Sequence, residues 1–381
     1  MKKLIIYAGI VFYLTSCNKT DPENNIITIK KDLSSSNYGI ANHSKMLLTN
    51  DNFIFIIKDD GVLCKTDISG NIIWQKSFPD TTRIGGERIR QLKDGNFILV
   101  GSKKSDTFWN WNYTKSYVAK FDANGDIIWD NEFYPTILNT IYDVQELNNG
   151  DLLMLCGHEI NTNSIIEQAY IMKVNSKGDS IYSKFFDFEL RTYNLEKKLD
   201  KFTFIINRLP PEDGGVIYND DNVLYEIDEN GNEIFAKSFS KNLDIQVNGH
   251  LVTKENEVFV YGSIKLDNFA RKGDIFLSKL DVNGDTIWSL TKNFLEEDKI
   301  SEIISTSDGG YIAAGITEDE SYIIREYIFI MKLNSKGDIM WKKDYKMGSD
   351  PFLESIIEVA PGKYRIICRT DYDSMLFLAI E

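Results

Sequence analysis

Along most of this chain apolar and polar residues alternate with a period of two over short runs, and Asp-Gly or Asn-Gly pairs separate the runs. That is the pattern of β-strands joined by tight hairpins. One hairpin recurs six times, most clearly as FDANGDIIWDNEF in residues 121–133. Its turn glycine is Gly70, Gly125, Gly178, Gly231, Gly284 and Gly337, and the aromatic four residues later is Trp74, Trp129, Tyr182, Phe235, Trp288 and Trp341. Successive glycines stand 55 residues apart once and 53 apart four times, so the chain is an array of one supersecondary unit.

Upstream of each hairpin the alternation predicts two further strands. Before Trp341 these are ISEIISTS and YIAAGI around the Asp308-Gly309-Gly310 turn, and the same order precedes Trp129, Tyr182 and Trp288. Two units are compact variants. Around Trp74 the runs are KMLLT, NFIFIIK and GVLCKTD; around Phe235 they are KFTFIIN, GVIYN and NVLYEID, with Pro210 and Pro211 in the first turn. After the sixth hairpin, residues 355–359, 364–369 and 374–380 supply three strands of a seventh unit and no fourth. Residues 25–33 (NIITIKKDL) match outer strands such as NIIWQKSF. They are therefore expected to close the ring beside the C-terminal strands, leaving no open edge. The fold expected is all-β: a seven-bladed β-propeller of four-stranded antiparallel blades, closed by the N-terminal strand.

The repeated residue types follow from hairpin geometry. The turn glycine accommodates a left-handed backbone, and the Asp or Asn three residues before it bonds its own main chain. The large aromatics are expected to act as structural anchors in the wedge between blades, where burying each contributes about 1.5 to 3 kcal/mol.

Composition adds the compartment. Residues 1–17 carry Lys2 and Lys3, then an apolar run from 4 to 14, then Leu14-Thr15-Ser16-Cys17. The run is too short for a bilayer, which needs about 20 residues, and reads as an export signal. It resembles the bacterial lipoprotein signal, which implies cleavage before Cys17 and acylation of its thiol, palmitate being one such chain. Lipid then anchors the protein at about 0.8 kcal/mol per buried methylene. Residues 18–24 are a polar tether, and residues 25–381 the single propeller domain. A formal charge of −14 opposes phosphate backbones, so nucleic acid is not an expected partner. A hydrophobic content of 43% is ample for a core. Cys64, Cys156 and Cys368 fall inside apolar strands and are expected to be small buried hydrophobes, with a Cys64–Cys368 bridge as the alternative.

With DGGYIAAGI followed by FIMKLNSKGDIMWKKDY, and DGNFILVGS followed by VAKFDANGDIIWDNEF, the chain resembles a family of bacterial lipoprotein propellers with DGGY and K[LV][DN]xxG[DN]IxW repeats. The resemblance implies fold and export but no shared activity. The Gly-xxx-Trp spacing is also similar to that of quinone-cofactor dehydrogenase propellers, in which the Trp docks between blades and holds no cofactor. The vicinal cysteine pair associated with such cofactors is absent. Sialidase Asp-boxes use a different spacing, with Asp two before the glycine and the aromatic three after it.

In this strand order the tight turns share one face and the long connections the other, where recognition is expected. Residues 105–115 (SDTFWNWNYTK) bring Phe108, Trp109, Trp111 and Tyr113 together with amides, a stacking surface for a glycan or peptide, or else a cover for the blade top. Arg271 and Arg325 are candidate anion readers. The acidic runs 296–298 and 318–320 read as a solvated surface, or as paired carboxylates for a glycosidase or a cation. The Asp-x-Asn-Gly-Asp turns offer calcium too few oxygens. His43, His158 and His250 have no metal spacing. No nucleophile elbow, Walker loop or dinucleotide fingerprint is present, so no catalytic residue, metal or cofactor is assigned. The expected function is a monomeric, non-enzymatic binding module of the bacterial envelope, at the outer membrane, for a glycan or protein. A polysaccharide hydrolase using carboxylates near the central channel and a scaffold in an envelope assembly remain the alternatives.

Overall fold

A computed structural model describes residues 27–32, 45–58, 62–77, 84–104, 114–133, 139–159, 167–207, 222–239, 243–265, 273–295, 297–319, 325–346, 351–370 and 374–380. All regular structure among them is β, in antiparallel pairs of neighbouring strands. No helix among the described residues is long and apolar enough to cross a membrane.

Hydrogen bonding gathers the described strands into six sheets, not the seven separate ones expected: five have four strands and one has eight. The larger sheet is two successive units fused. The strand Ser180–Leu190 runs on past its hairpin, so that Glu189 and Leu190 pair with Asn207 and Ile206 of the next unit. Each four-strand unit is called a blade below, and the fused sheet supplies blades 3 and 4.

Blade 4 also corrects the strand assignment made from the alternation. Its inner strand is the short Glu196–Lys198, and Lys201–Asn207 is the second strand, not the first. The turn between them is 199–200. Pro210, Pro211 and the GVIYN run fall in the connection 208–221, which is not short and lies outside the described residues.

The last sheet has the order Ile27–Asp32, Ser374–Ile380, Lys363–Thr370, Phe352–Ala360. The N-terminal strand thus supplies the fourth strand, pairing from Ile27 opposite Ile380 to Asp32 opposite Leu376. Residues 27–32 and 374–380 are thereby tied into one sheet, and the outward side of Ser374–Ile380 is paired.

The core lies between blades. Phe55 and Leu63 of blade 1 pack with Ile89, Phe97, Leu99 and Tyr117 of blade 2, with ring centroids of Phe55 and Phe97 4.5 Å apart. Cys64, Cys156 and Cys368 are buried and none of them forms a disulfide among the described residues, so the alternative bridge between Cys64 and Cys368 is absent.

On the tight-turn face the turns between the third and fourth strands of blades 1 to 6 are built alike. In blade 2 Asp122 Oδ1 accepts the Asn124 and Asp126 backbone N–H groups at 2.8 and 2.9 Å, and Asn175, Asp228, Asp281 and Asn334 do the same in later blades. Those amide contacts, that of Asp126 foremost, hold Asp122 below the usual carboxylate range. Gly125 has φ +77°, and a Cβ there would lie 2.5 Å from Cη2 of Trp74 on the preceding blade. Gly178 meets Trp129 and Gly337 meets Trp288 in the same way. Tyr182 instead donates its hydroxyl to the Glu229 carbonyl at 2.8 Å, and Phe235 lies 3.2 Å from the Cβ position of Gly284. Trp341 packs half-buried against the blade 6 to blade 7 core. The turn glycine and the preceding aromatic therefore form one inter-blade clasp.

Candidate functional site

The aromatic segment carrying Phe108, Trp109, Trp111 and Tyr113 lies outside the described residues, as do Cys17, His43 and Arg271. Arg325 opens the strand Arg325–Leu333, opposite Asp319. At the base of the aromatic segment, Lys103 and Lys115 both pair with Glu132, at 2.6 and 2.9 Å. The acidic runs are not a solvated surface throughout. Asp298 is fully buried, and its carboxylate accepts the Phe294 and Leu295 backbone N–H groups at 2.6 and 3.1 Å together with the Thr317 hydroxyl. Glu297 stands opposite Glu318 across the strand pair. Among the described residues no group of His, Cys, Asp or Glu could hold a metal ion.

The structure assembles a different cluster, at the propeller axis. Five of the inner strands break register at the homologous place: Gly86/Arg88, Ile141/Asp143, Val247/Gly249, Ile300/Glu302 and Leu353/Ser355. A bulge bends a strand and re-aims the side chain beside it. With Glu196 of the short blade 4 strand, these positions follow the repeat interval, and they form an axial ring of Arg88, Asp143, Glu196, Gly249, Glu302 and Ser355. Three members of the ring tie their blade to the next. Asp143 accepts the Leu195 N–H at 3.0 Å, Glu302 accepts the Ile356 N–H at 2.9 Å and Ser355 Oγ accepts the Met46 N–H at 3.3 Å. At Gly249, which has no side chain to offer, the Tyr261 hydroxyl fills the space, 2.2 Å from a Cβ placed there, and accepts a hydrogen bond from the Ile303 backbone.

Charge concentrates in this ring at blades 2 to 4. Asp143 is fully buried. Arg90 grips it with both prongs of its fork, Nε to Oδ1 at 2.9 Å and Nη2 to Oδ2 at 2.7 Å, and also reaches Glu196 at 4.0 Å. Burial opposes ionisation of Asp143, but Arg90, Arg88 and the hydrogen bonds more than offset it and hold its pKa below the ordinary range. Glu196 goes the other way: burial pushes it up, Arg90 and Arg88 pull it down, and the Asp143 charge pushes it up again, for a raised pKa. His250 is buried between Thr192 and Thr203, and desolvation pushes it down to about 4, so it is neutral near pH 7.

Arg88 is the distinctive member. It approaches Asp143 at 3.5 Å, and its charge reaches Glu196, His250 and Tyr261 on blades 4 and 5. Its Nε is buried without a hydrogen-bond partner, while 24% of the side chain stays accessible. None of these axial residues stands out from local pattern alone. The signal that finds them is the interval of about 53 residues carried back from the turn glycines onto the inner strands.

No family model and no curated protein matches the sequence. By overall shape the chain is similar to the WD40 domain of Neurospora crassa Pan2, at 9% identity and a TM-score of 0.55, over 89% of this chain and 89% of that one. It is also similar to the propeller of Dos1, at 12% identity and a TM-score of 0.53, over 89% of this chain and 78% of that one. A protein of unknown function from Bacteroides caccae overlaps 81% of this chain and 93% of its own at 12% identity and a TM-score of 0.44. Together with the sheet topology, the first two likenesses establish the fold and nothing finer: the chain is a β-propeller.

Proposed function

We propose that the protein is a non-enzymatic binding module of the bacterial envelope, lipid-anchored at Cys17, which takes a glycan or protein on the face that carries the long connections. The observation behind this reading is the unequal use of the two faces. Every connection between described strands that exceeds five residues, such as 33–45, 105–113 and 208–221, leaves from one face. On the other face the turns are five residues or fewer, and their polar groups are spent on their own backbone and on the neighbouring blade. A rigid ring bearing variable connections on one side suits recognition.

Anchor geometry favours the same face. The strand Ile27–Asp32 runs antiparallel to Ser374–Ile380 and so begins at the tight-turn face. The residues between Cys17 and Ile27 span at most about 30 Å when extended. An acyl chain on Cys17 would therefore hold the tight-turn face toward the bilayer and leave the other open. Glycosidase chemistry finds less support at the axis, because the Asp143 and Glu302 carboxylates are already engaged by Arg90 and by backbone amides.

The test uses the full chain in detergent on a glycan array and in pull-downs from envelope extract, beside a W109A/W111A variant. Capture by the wild type that the variant loses is the expected result. Capture that survives both substitutions, or conversion of a bound polysaccharide to shorter products, would count against the proposal.

A further inference from the structure

One leucine stands where the backbone disfavours it. Among the described residues three that are not glycine have a positive φ: Asn52, Leu199 and Asn256. Asparagine is enriched in that region because its short polar side chain bonds locally, and leucine has no such compensation. Leu199 has φ +58° in the two-residue turn between Glu196–Lys198 and Lys201–Asn207, on the tight-turn face. Its amide donates to the Asn256 side chain at 3.2 Å, as that of a glycine would, and its own side chain is 60% exposed. Strain that packing does not offset marks functional positions.

Two further apolar turn residues share that face, and their placement decides what could cover them. Val282, 52% exposed, belongs to the turn beside Leu199, where Lys198 Nζ donates to the Val282 carbonyl at 2.9 Å. Ile68, 37% exposed, holds the same turn position in blade 1, two residues before the turn glycine. Blade 7 packs on blade 1 through Ile367 and Phe377, so in a ring of seven, blade 1 lies across from blades 4 and 5. The apolar tips therefore stand on opposite sides of one face. A small ligand or a single peptide reaches one side only, whereas an extended flat surface meets both. The chain outside the described residues supplies that surface. Strand Ile27–Asp32 begins at this same face, and residues 17–26 place Cys17 within about 30 Å of it.

We propose that Leu199 and Val282 on one side of the ring, and Ile68 on the other, enter the interface of the phospholipid bilayer that holds the acyl chains of Cys17. This rests on the reading of Cys17 as the lipid anchor and adds to it a contact made by the propeller itself. Apolar side chains on a peripheral protein reach about 5 to 10 Å into the boundary between headgroups and acyl chains, which is within the reach of turn tips. The anchor alone leaves the ring free to tilt. With apolar tips touching down on both sides, the tight-turn face lies along the membrane and the long connections point away from it.

The acylated full chain, added to preformed vesicles of phosphatidylethanolamine and phosphatidylcholine, tests it. These lipids are zwitterionic, so the formal charge of −14 does not repel the protein from them. L199C, V282C, I68C and, on the opposite face, L243C are each labelled with the fluorophore NBD, since Cys64, Cys156 and Cys368 are buried. Dithionite in the water should then bleach the labels at 199, 282 and 68 at least tenfold more slowly than the label at 243. L199G, which relieves the positive φ, should unfold at a higher urea concentration than wild type; a lower midpoint would make Leu199 a packing residue and overturn the argument from strain. Bleaching at 199 as fast as at 243, with the protein still on the vesicles, overturns the proposal and leaves the anchor standing. Slow bleaching at 243 as well overturns the orientation. Failure of wild type to stay with the vesicles removes the anchor reading and the proposal together. Slowing at 199 that grows with protein concentration in detergent, without vesicles, would assign the tips to a second copy of the chain instead.

Discussion

Asp143→Ala should be among the most damaging single substitutions in the protein, and its cost can be worked from the axial geometry. The carboxylate is fully buried and accepts two Arg90 contacts, at 2.9 and 2.7 Å, and two backbone amides, at 2.7 and 3.0 Å. Removing it leaves the Val144 and Leu195 N–H groups without that acceptor and Arg90 facing a void. Breaking a buried ion pair from one side costs about 3 to 5 kcal/mol. Each orphaned amide would add about 1 to 3 kcal/mol, but such terms overlap, so the total is about 5 kcal/mol. Urea unfolding followed by tryptophan fluorescence measures it. A pH series adds a sign that a merely steric role would not produce. The folded pKa of Asp143 is depressed, so its contribution is fully present above the unfolded carboxylate value of about 4 and is lost as pH falls through the lower folded value. Wild type should therefore lose stability below about pH 4 more steeply than Asp143→Asn. A loss under about 1 kcal/mol for the alanine variant, or identical acid slopes for wild type and Asp143→Asn, would refute this account.

Three further outcomes are expected. Gly125→Ala combines a left-handed φ of +77° with a Cβ 2.5 Å from Trp74, and should cost about 2 to 4 kcal/mol by chemical denaturation; adding Trp74→Ala should cost less than the sum of the two. Lys198→Met leaves Glu226, its buried partner at 2.5 Å, short of its main counter-charge and should cost about 3 to 5 kcal/mol, whereas the double variant Lys198→Met/Glu226→Leu should recover most of that in the same assay. Deleting residues 1–32 removes the outer strand of the last sheet and bares Ser374–Ile380; light scattering should then show aggregation absent from the full chain, and a monodisperse product would count against closure by that strand.

The buried Lys198–Glu226 pair also shows where reading by pattern broke down. In blades 2, 5 and 6 a lysine on the third strand pairs with an acid on or just after the first turn: Lys120 with Asp94 at 2.6 Å, Lys279 with Glu257 at 2.5 Å and Lys332 with Asp308 at 2.8 Å. Blade 4 keeps the contact with its signs exchanged, Lys198 near the turn and Glu226 on the third strand. Its inner strand, Glu-Lys-Lys, has no apolar residue and is invisible to a period-two search. The strongly alternating KFTFIIN is therefore the run that the pattern predicts as the first strand.

What the sequence by itself determined is whatever depends on neighbours a few residues apart. An Asp or Asn that bonds its own turn, a glycine that tolerates positive φ and an aromatic four residues later are all local, and their recurrence is enough to count the hairpins and to expect an N-terminal strand at the C-terminal edge. Only the tertiary structure decided that blades 3 and 4 share one sheet, because a two-residue extension of pairing leaves no mark in composition. It alone brought Arg88, Arg90, Asp143 and Glu196 together, since residues a blade or more apart in sequence meet only when the ring closes. Each of those side chains is unremarkable on its own strand, and its ionisation and its lack or surplus of partners are set by what the other blades place opposite it across the axis.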